Sequence, residues 1–122
     1  FDLRLREMEV AVTAEAVAKR MEEFGVRHER AMKARLLVEE ALMVIKERNG
    51  DSCVYAEVTL DFNEGVVITM RDDGVIVTPE RTAEAQCDSE AFRTEMLDRV
   101  MERLSGRRSR VTTGFNRQEF VL

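Results

Sequence analysis

The run Arg71-Asp72-Asp73-Gly74, with Glu40 well upstream of it in a long apolar stretch, is where this chain could do chemistry. An Asp-x-Gly turn leaving a strand can present a carboxylate to a bound base, while the glycine lets backbone and ligand approach closely. Asp72 and Gly74 are therefore a candidate base-binding pair, although Asp-Asp-Gly is also an ordinary turn. Glu39 and Glu40 are adjacent and point to different sides of a helix, so Glu40 can equally be solvated or paired with Arg35, Lys46 or Arg48. The lone His28 has no acid, nucleophile or metal partner in the pattern around it, which makes it a surface residue. Cys53 and Cys87 stand in neither a Cys-x-x-Cys nor a Cys/His spacing, so no metal site or disulfide is expected and a reducing compartment is. Arg107, Arg108 and Arg110 form a short basic cluster that reads as a solvated strand edge.

The elements that must position these residues follow from periodicity. Leu3 to Val12 alternates with a change of phase between Leu5 and Met8, which predicts a bulged or bent edge strand. Thr13 is placed to cap a helix carrying Val17, Met21 and Phe24 on one face, with Gly25 ending it. A longer helix, His28 to Arg48, is apolar nearly all round and should be central, with Val44 in the core. Asn49-Gly50-Asp51 breaks it. Cys53 to Phe62 alternates cleanly, with Val54, Ala56, Val58, Leu60 and Phe62 inward, and Val66 to Met70 returns as its hairpin partner after Asn63-Glu64-Gly65. After a polar segment from Pro79 to Asp88, a third helix capped by Asp88 or Ser89 carries Phe92, Met96, Leu97, Val100, Met101 and Leu104 up to Gly106. Arg107 to Thr113 and Phe115 to Leu122 read as a last hairpin. The fold expected is α+β, a two-layer sandwich with three helices on one face of a mixed, mostly antiparallel sheet.

The composition narrows the partners. A chain of 122 residues with 44% apolar content supports one domain with a single core. Charged residues make up 35% of it and the net charge is −5, so a phosphate backbone is repelled and nucleic acid is not expected. No apolar run is long enough to span a membrane and no signal-like segment opens the chain, so the expected location is cytoplasmic, as a free protein or as a domain of a membrane protein. The chain starts at Phe1 in strand-like sequence, which suggests a piece of a longer polypeptide.

Taken in order, Ala34 to Gly50, Arg71 to Pro79 and Met96 to Leu122 resemble successive signatures of the histidine kinase-like ATPase family, the GHKL or Bergerat fold, in its anti-sigma-factor branch. Glu40-Ala41-Leu42-Met43-Val44 stands where that branch has Glu-Ala-x-x-Asn. Asp72-Asp73-Gly74-Val75-Ile76-Val77-Thr78-Pro79 stands where it has Asp-x-Gly-x-Pro-Phe-x-Pro, and Gly114-Phe115-Asn116 resembles its last turn. The resemblance covers nearly the whole of residues 1–122. It implies ATP or ADP as ligand, Asp72 with Gly74 as the adenine site, and Glu40 as the group that activates water or a serine hydroxyl. The chain departs from the pattern at two places. Val44 occupies the position of the magnesium-binding asparagine and offers no oxygen to a metal, and the register shifted to Glu39 puts Met43 there. From Pro79 to Leu104 there is no glycine, whereas the family's lid uses glycines to bring backbone N–H groups against phosphates. What the resemblance then implies is a degenerate domain with a vestigial Glu40 and no metal site, acting as a regulatory or protein-interaction module with at most adenine-nucleotide binding. The alternative is an ATP-binding anti-sigma-factor-type serine kinase or ATPase. The implied partner is another protein or the rest of a longer polypeptide, with a homodimer as one form of this.

Overall fold

A computed structural model describes residues 2–4, 7–50, 54–63, 65–74, 99, 102, 107–112 and 116–122. The order of elements is β1 (Asp2–Arg4), α1 (Glu7–Glu23), α2 (His28–Asn49), β2 (Tyr55–Asp61), β3 (Val67–Asp72), β4 (Arg107–Thr112) and β5 (Asn116–Val121). The fold is α+β. Its five strands lie in the order β1-β2-β3-β5-β4. Every pairing among the described residues is antiparallel, so the expected mixed sheet is instead antiparallel throughout these strands. Two of the three expected helices are described. The third, from Asp88 or Ser89 to Leu104, lies outside the described residues except for Arg99 and Glu102, both helical and exposed.

The first element departs most from expectation. Glu7 begins a helix, not a continuation of the strand, and Thr13 lies inside that helix rather than capping it. The alternation of Met8, Val10 and Val12 misleads because three alternating positions also fit a helix. Val10, Ala14, Val17, Ala18 and Met21, the residues that are actually buried, recur at intervals of three and four. Val12 is exposed on the opposite side. The phase change between Leu5 and Met8 is thus the boundary between strand and helix. Gly25 ends α1 as expected, in a left-handed conformation (φ 88°) that a side chain would strain. Its N–H donates to the carbonyl of Glu22, and the N–H of Val26 to that of Met21, the paired bonds of a Schellman motif. Phe24, expected on the buried face, is turned outward by this ending and is 56% exposed.

The second helix is the centre of the core. Leu37, Ala41 and Val44 form one buried row and Val38, Leu42 and Ile45 the next, a stripe too wide for one neighbour. Alanines at 14 and 18 on α1 and at 31 and 34 on α2, all buried, let the two helices approach closely. Val58, Ile68, Met70 and Phe120 from β2, β3 and β5 join the same cluster, so the helices cover one face of the sheet. Each such apolar side chain contributes about 1.5–3 kcal/mol on leaving water. On the other face Tyr55, Glu57, Thr59 and Asp61 alternate outward, as their spacing predicts. β3 runs two residues past its expected end at Met70, and Asp72 is its last residue.

Candidate functional site

Asp72 is held by pairing on both sides: it lies opposite Ala56 of β2 and opposite Asn116 of β5. A turn residue would be wet, but this interior ladder position buries Asp72 to 4% exposure. Its Oδ1 accepts a hydrogen bond from Nδ2 of Asn116 at 3.0 Å and another from the backbone N–H of Gly74 at 3.1 Å. Burial raises its pKa above the ordinary carboxylate value, opposed by the Asn116 and Gly74 bonds and by the nearby Arg48 guanidinium. Asp73 does a different job. Its Oδ1 accepts from the Tyr55 N–H at 2.9 Å and its own N–H donates to the Tyr55 carbonyl at 3.2 Å, tying the start of the turn to the start of β2.

Gly74 sits against the end of α2. A Cβ built on it would lie 2.5–2.8 Å from three atoms of the Asn49 side-chain amide, closer than any stable contact. Asn49 is itself buried and donates from Nδ2 to the Ile45 carbonyl at 2.8 Å, capping one of the last carbonyls of the helix. The helix therefore extends one residue past its expected end at Arg48, and Gly50 (φ 57°) terminates it. Asp72, Gly74, Asn116, Asn49 and Arg48 form one polar corner where the β3 end, the β5 start and the α2 end meet.

Of the residues singled out from the sequence, Asp72 and Gly74 are brought together here. Glu40 is not among the groups around Asp72. It lies half-buried on α2, nine residues before Asn49 and so about 13 Å along the helix axis at 1.5 Å per residue. Val44 is 1% exposed, in the core. Among the described residues no group of three or more His, Cys, Asp or Glu side chains is placed to hold a metal ion. His28 is exposed and contacts Glu22, another surface residue. Cys53 and Cys87 and the stretch from Val75 to Asp88 lie outside the described residues.

Sequence reasoning did not anticipate Asn116 and Asn49 as the partners of Asp72 and Gly74. Asn116 is 44 positions from Asp72, and only the strand order makes them neighbours. A second unforeseen feature lies near the far end of β2. The rings of Phe24 and Phe62 stack at 4.3 Å, nearly parallel, and the Arg20 guanidinium lies 5.1 Å from the Phe24 ring centre.

Solved structures share this architecture, two of them from one protein. One is the Erythrobacter litoralis EL346 blue-light activated histidine kinase, with a TM-score of 0.65 and 12% identity over 91% of this chain and 40% of that one. The other is the histidine kinase domain from that same kinase, with a TM-score of 0.63 and 13% identity over 91% of this chain and 59% of that one. At such identity the likeness is one of fold, and this chain spans less than two thirds of either structure. No protein-family model matches the chain, and no curated protein sequence matches it.

Proposed function

We propose that this chain is a degenerate histidine kinase-like ATPase domain that serves as a regulatory or protein-interaction module and does not turn over ATP. The observation that carries the reading is Val44. It stands where the resembling family has its magnesium-binding asparagine, and it is a buried valine, 1% exposed, on the row of α2 that also carries Leu37 and Ala41. A site that needs an oxygen directed at a metal is here given over to packing. Without that metal, transfer of a γ-phosphate lacks its main source of charge stabilisation.

The absence of glycine from Pro79 to Leu104 supports the same reading, because phosphate-cradling backbone turns favour glycine. Asp72 and Gly74 are the residues that would retain an adenine ring. Asp72 Oδ1 already accepts two internal bonds, so the corner also has a structural duty that would preserve these residues in a chain with no nucleotide at all. Glu40 is then vestigial. The catalytic alternative, a serine kinase or ATPase with Glu40 as base, has no observation in its favour beyond the presence of that carboxylate.

The test is phosphate release from magnesium-ATP by the purified chain, beside transfer of labelled γ-phosphate to serine-containing proteins. The expected outcome is no release or transfer above the protein-free rate. Turnover that disappears in Glu40→Gln would overturn the reading in favour of the kinase or ATPase.

A further inference from the structure

Gly74 and Asn49 meet in a way that a plain turn does not require. A Cβ placed on Gly74 would lie 2.5 Å from Nδ2, 2.7 Å from Oδ1 and 2.8 Å from Cγ of Asn49, so the whole carboxamide lies against the Gly74 backbone. The close approach that a glycine allows a ligand is taken here by a side chain from the end of α2. That side chain is held in place. Asn49 is 8% exposed, and its Nδ2 donates to the Ile45 carbonyl at 2.8 Å, which ties the amide to the last turn of its own helix.

The amide also has the chemistry of the group it would exclude. A carboxamide carries an acceptor oxygen and an NH2 donor side by side. The amino-bearing edge of adenine carries the same pair, a ring nitrogen that accepts beside an amino group that donates. Asp72 uses Oδ1 for both of its internal bonds, from Asn116 Nδ2 and from the Gly74 N–H, so Oδ2 is the oxygen that would take a ligand's amino group. Acceptor, glycine and adenine-like amide therefore stand together in one buried corner.

We propose that Asn49 stands in for the base: its carboxamide occupies the place against Gly74 that the amino-bearing edge of an adenine ring would take, so the chain closes this site with its own side chain. An adenine compound enters only as the amide leaves, and the position of Asn49 sets the affinity although Asp72 and Gly74 are both present. The inference rests on the reading of Asp72 and Gly74 as a retained base site. It involves neither magnesium nor phosphate, so it is tested apart from the absence of ATP turnover, which needs magnesium-ATP.

The test compares the parent with Asn49→Ser, titrating adenosine and inosine without magnesium and following amide NMR. Serine is short enough to clear Gly74, and its hydroxyl can bond the carbonyl four residues back, so the variant keeps a donor for Ile45. Adenosine should bind Asn49→Ser at least about tenfold more tightly than the parent, or 1.4 kcal/mol, with shifts at Asp72, Asp73 and Asn116. Inosine, which has an oxygen in place of the amino group, should gain nothing. Gly74→Ala added to Asn49→Ser refills the cleared space with a methyl group and should return adenosine to the parent's affinity. Equal binding of adenosine by parent and variant, lost on adding that methyl group, would overturn the closure and keep the base site. No binding by either, or binding indifferent to the methyl group, would overturn both, and an equal gain for inosine would overturn the stand-in role. Asn49→Ala repeats the comparison without the hydroxyl. The parent supplies a readout that needs no variant: adenosine that saturates it without moving the Asn49 side-chain NH2 resonances would contradict the proposal.

Discussion

A carboxylate buried between two strands has to be met by donors, and Asp72 is held by Asn116 Nδ2 and by the Gly74 N–H. Because burial raises its folded pKa, its ionised form is disfavoured in the folded state. Whatever stability this position offers is complete below the unfolded carboxylate pKa and is lost as pH rises through the raised folded value. Asp72→Asn keeps an acceptor oxygen for both donors and carries no charge. Relative to the parent it should therefore gain stability from about pH 4 towards neutrality, measured by urea unfolding at a series of pH values. Asp72→Ala removes the acceptor from two donors and should cost about 1–3 kcal/mol in the same measurement. Gly74→Ala forces its new Cβ against the Asn49 amide and should cost about 1–3 kcal/mol. Combined with Asn49→Ala, it should cost clearly less than the sum of the two single changes, because the double variant has no amide to collide with. The sequence marks Asp72 and Gly74 through local turn chemistry. It carries no mark of Asn49 or Asn116 as their partners, since those contacts depend on how distant elements come together.

The clean alternation of β2, the apolar width of α2 and the glycine stop of α1 were all legible in the sequence because each rests on a local period or on one backbone preference. The start of α1 was not. Met8, Val10 and Val12 alternate as a strand would, while the true helical stripe uses Ala14 and Ala18, small residues that give a weak apolar signal. The two readings make opposite predictions for a pair of valines. In a strand Val10 and Val12 would share a face, so aspartate at either would cost alike. In the helix Val10 is 1% exposed and Val12 61%. Val10→Asp should lose several kcal/mol, of order 3 or more, and Val12→Asp about 0.5 or less, by thermal or urea unfolding. Val44→Asp should be as damaging as Val10→Asp, because α2 offers that carboxylate no water. Of the third expected helix only Arg99 and Glu102 are described, both helical, and its apolar stripe from Phe92 to Leu104 lies outside the described residues.

At the scale of the whole molecule, two helices packed on one face of a five-stranded antiparallel sheet resemble histidine kinase domains in fold. None of the described helices is long and apolar enough to cross a membrane. The functional reading turns on whether this fold still handles magnesium and phosphate. Occupancy at a hundred times the dissociation constant stabilises a folded state by about 2.7 kcal/mol, or roughly 10 °C in a domain of this size. The most direct measurement is thermal unfolding of the chain in millimolar ATP, ADP and adenosine, each with and without magnesium. With Val44 in the core, the predicted result is no dependence on magnesium, and any shift should be equal for ATP, ADP and adenosine, as a base-only contact at Asp72 and Gly74 would give. A magnesium-dependent stabilisation specific to ATP and lost in Asp72→Asn would contradict the account and return the domain to the working kinases and ATPases.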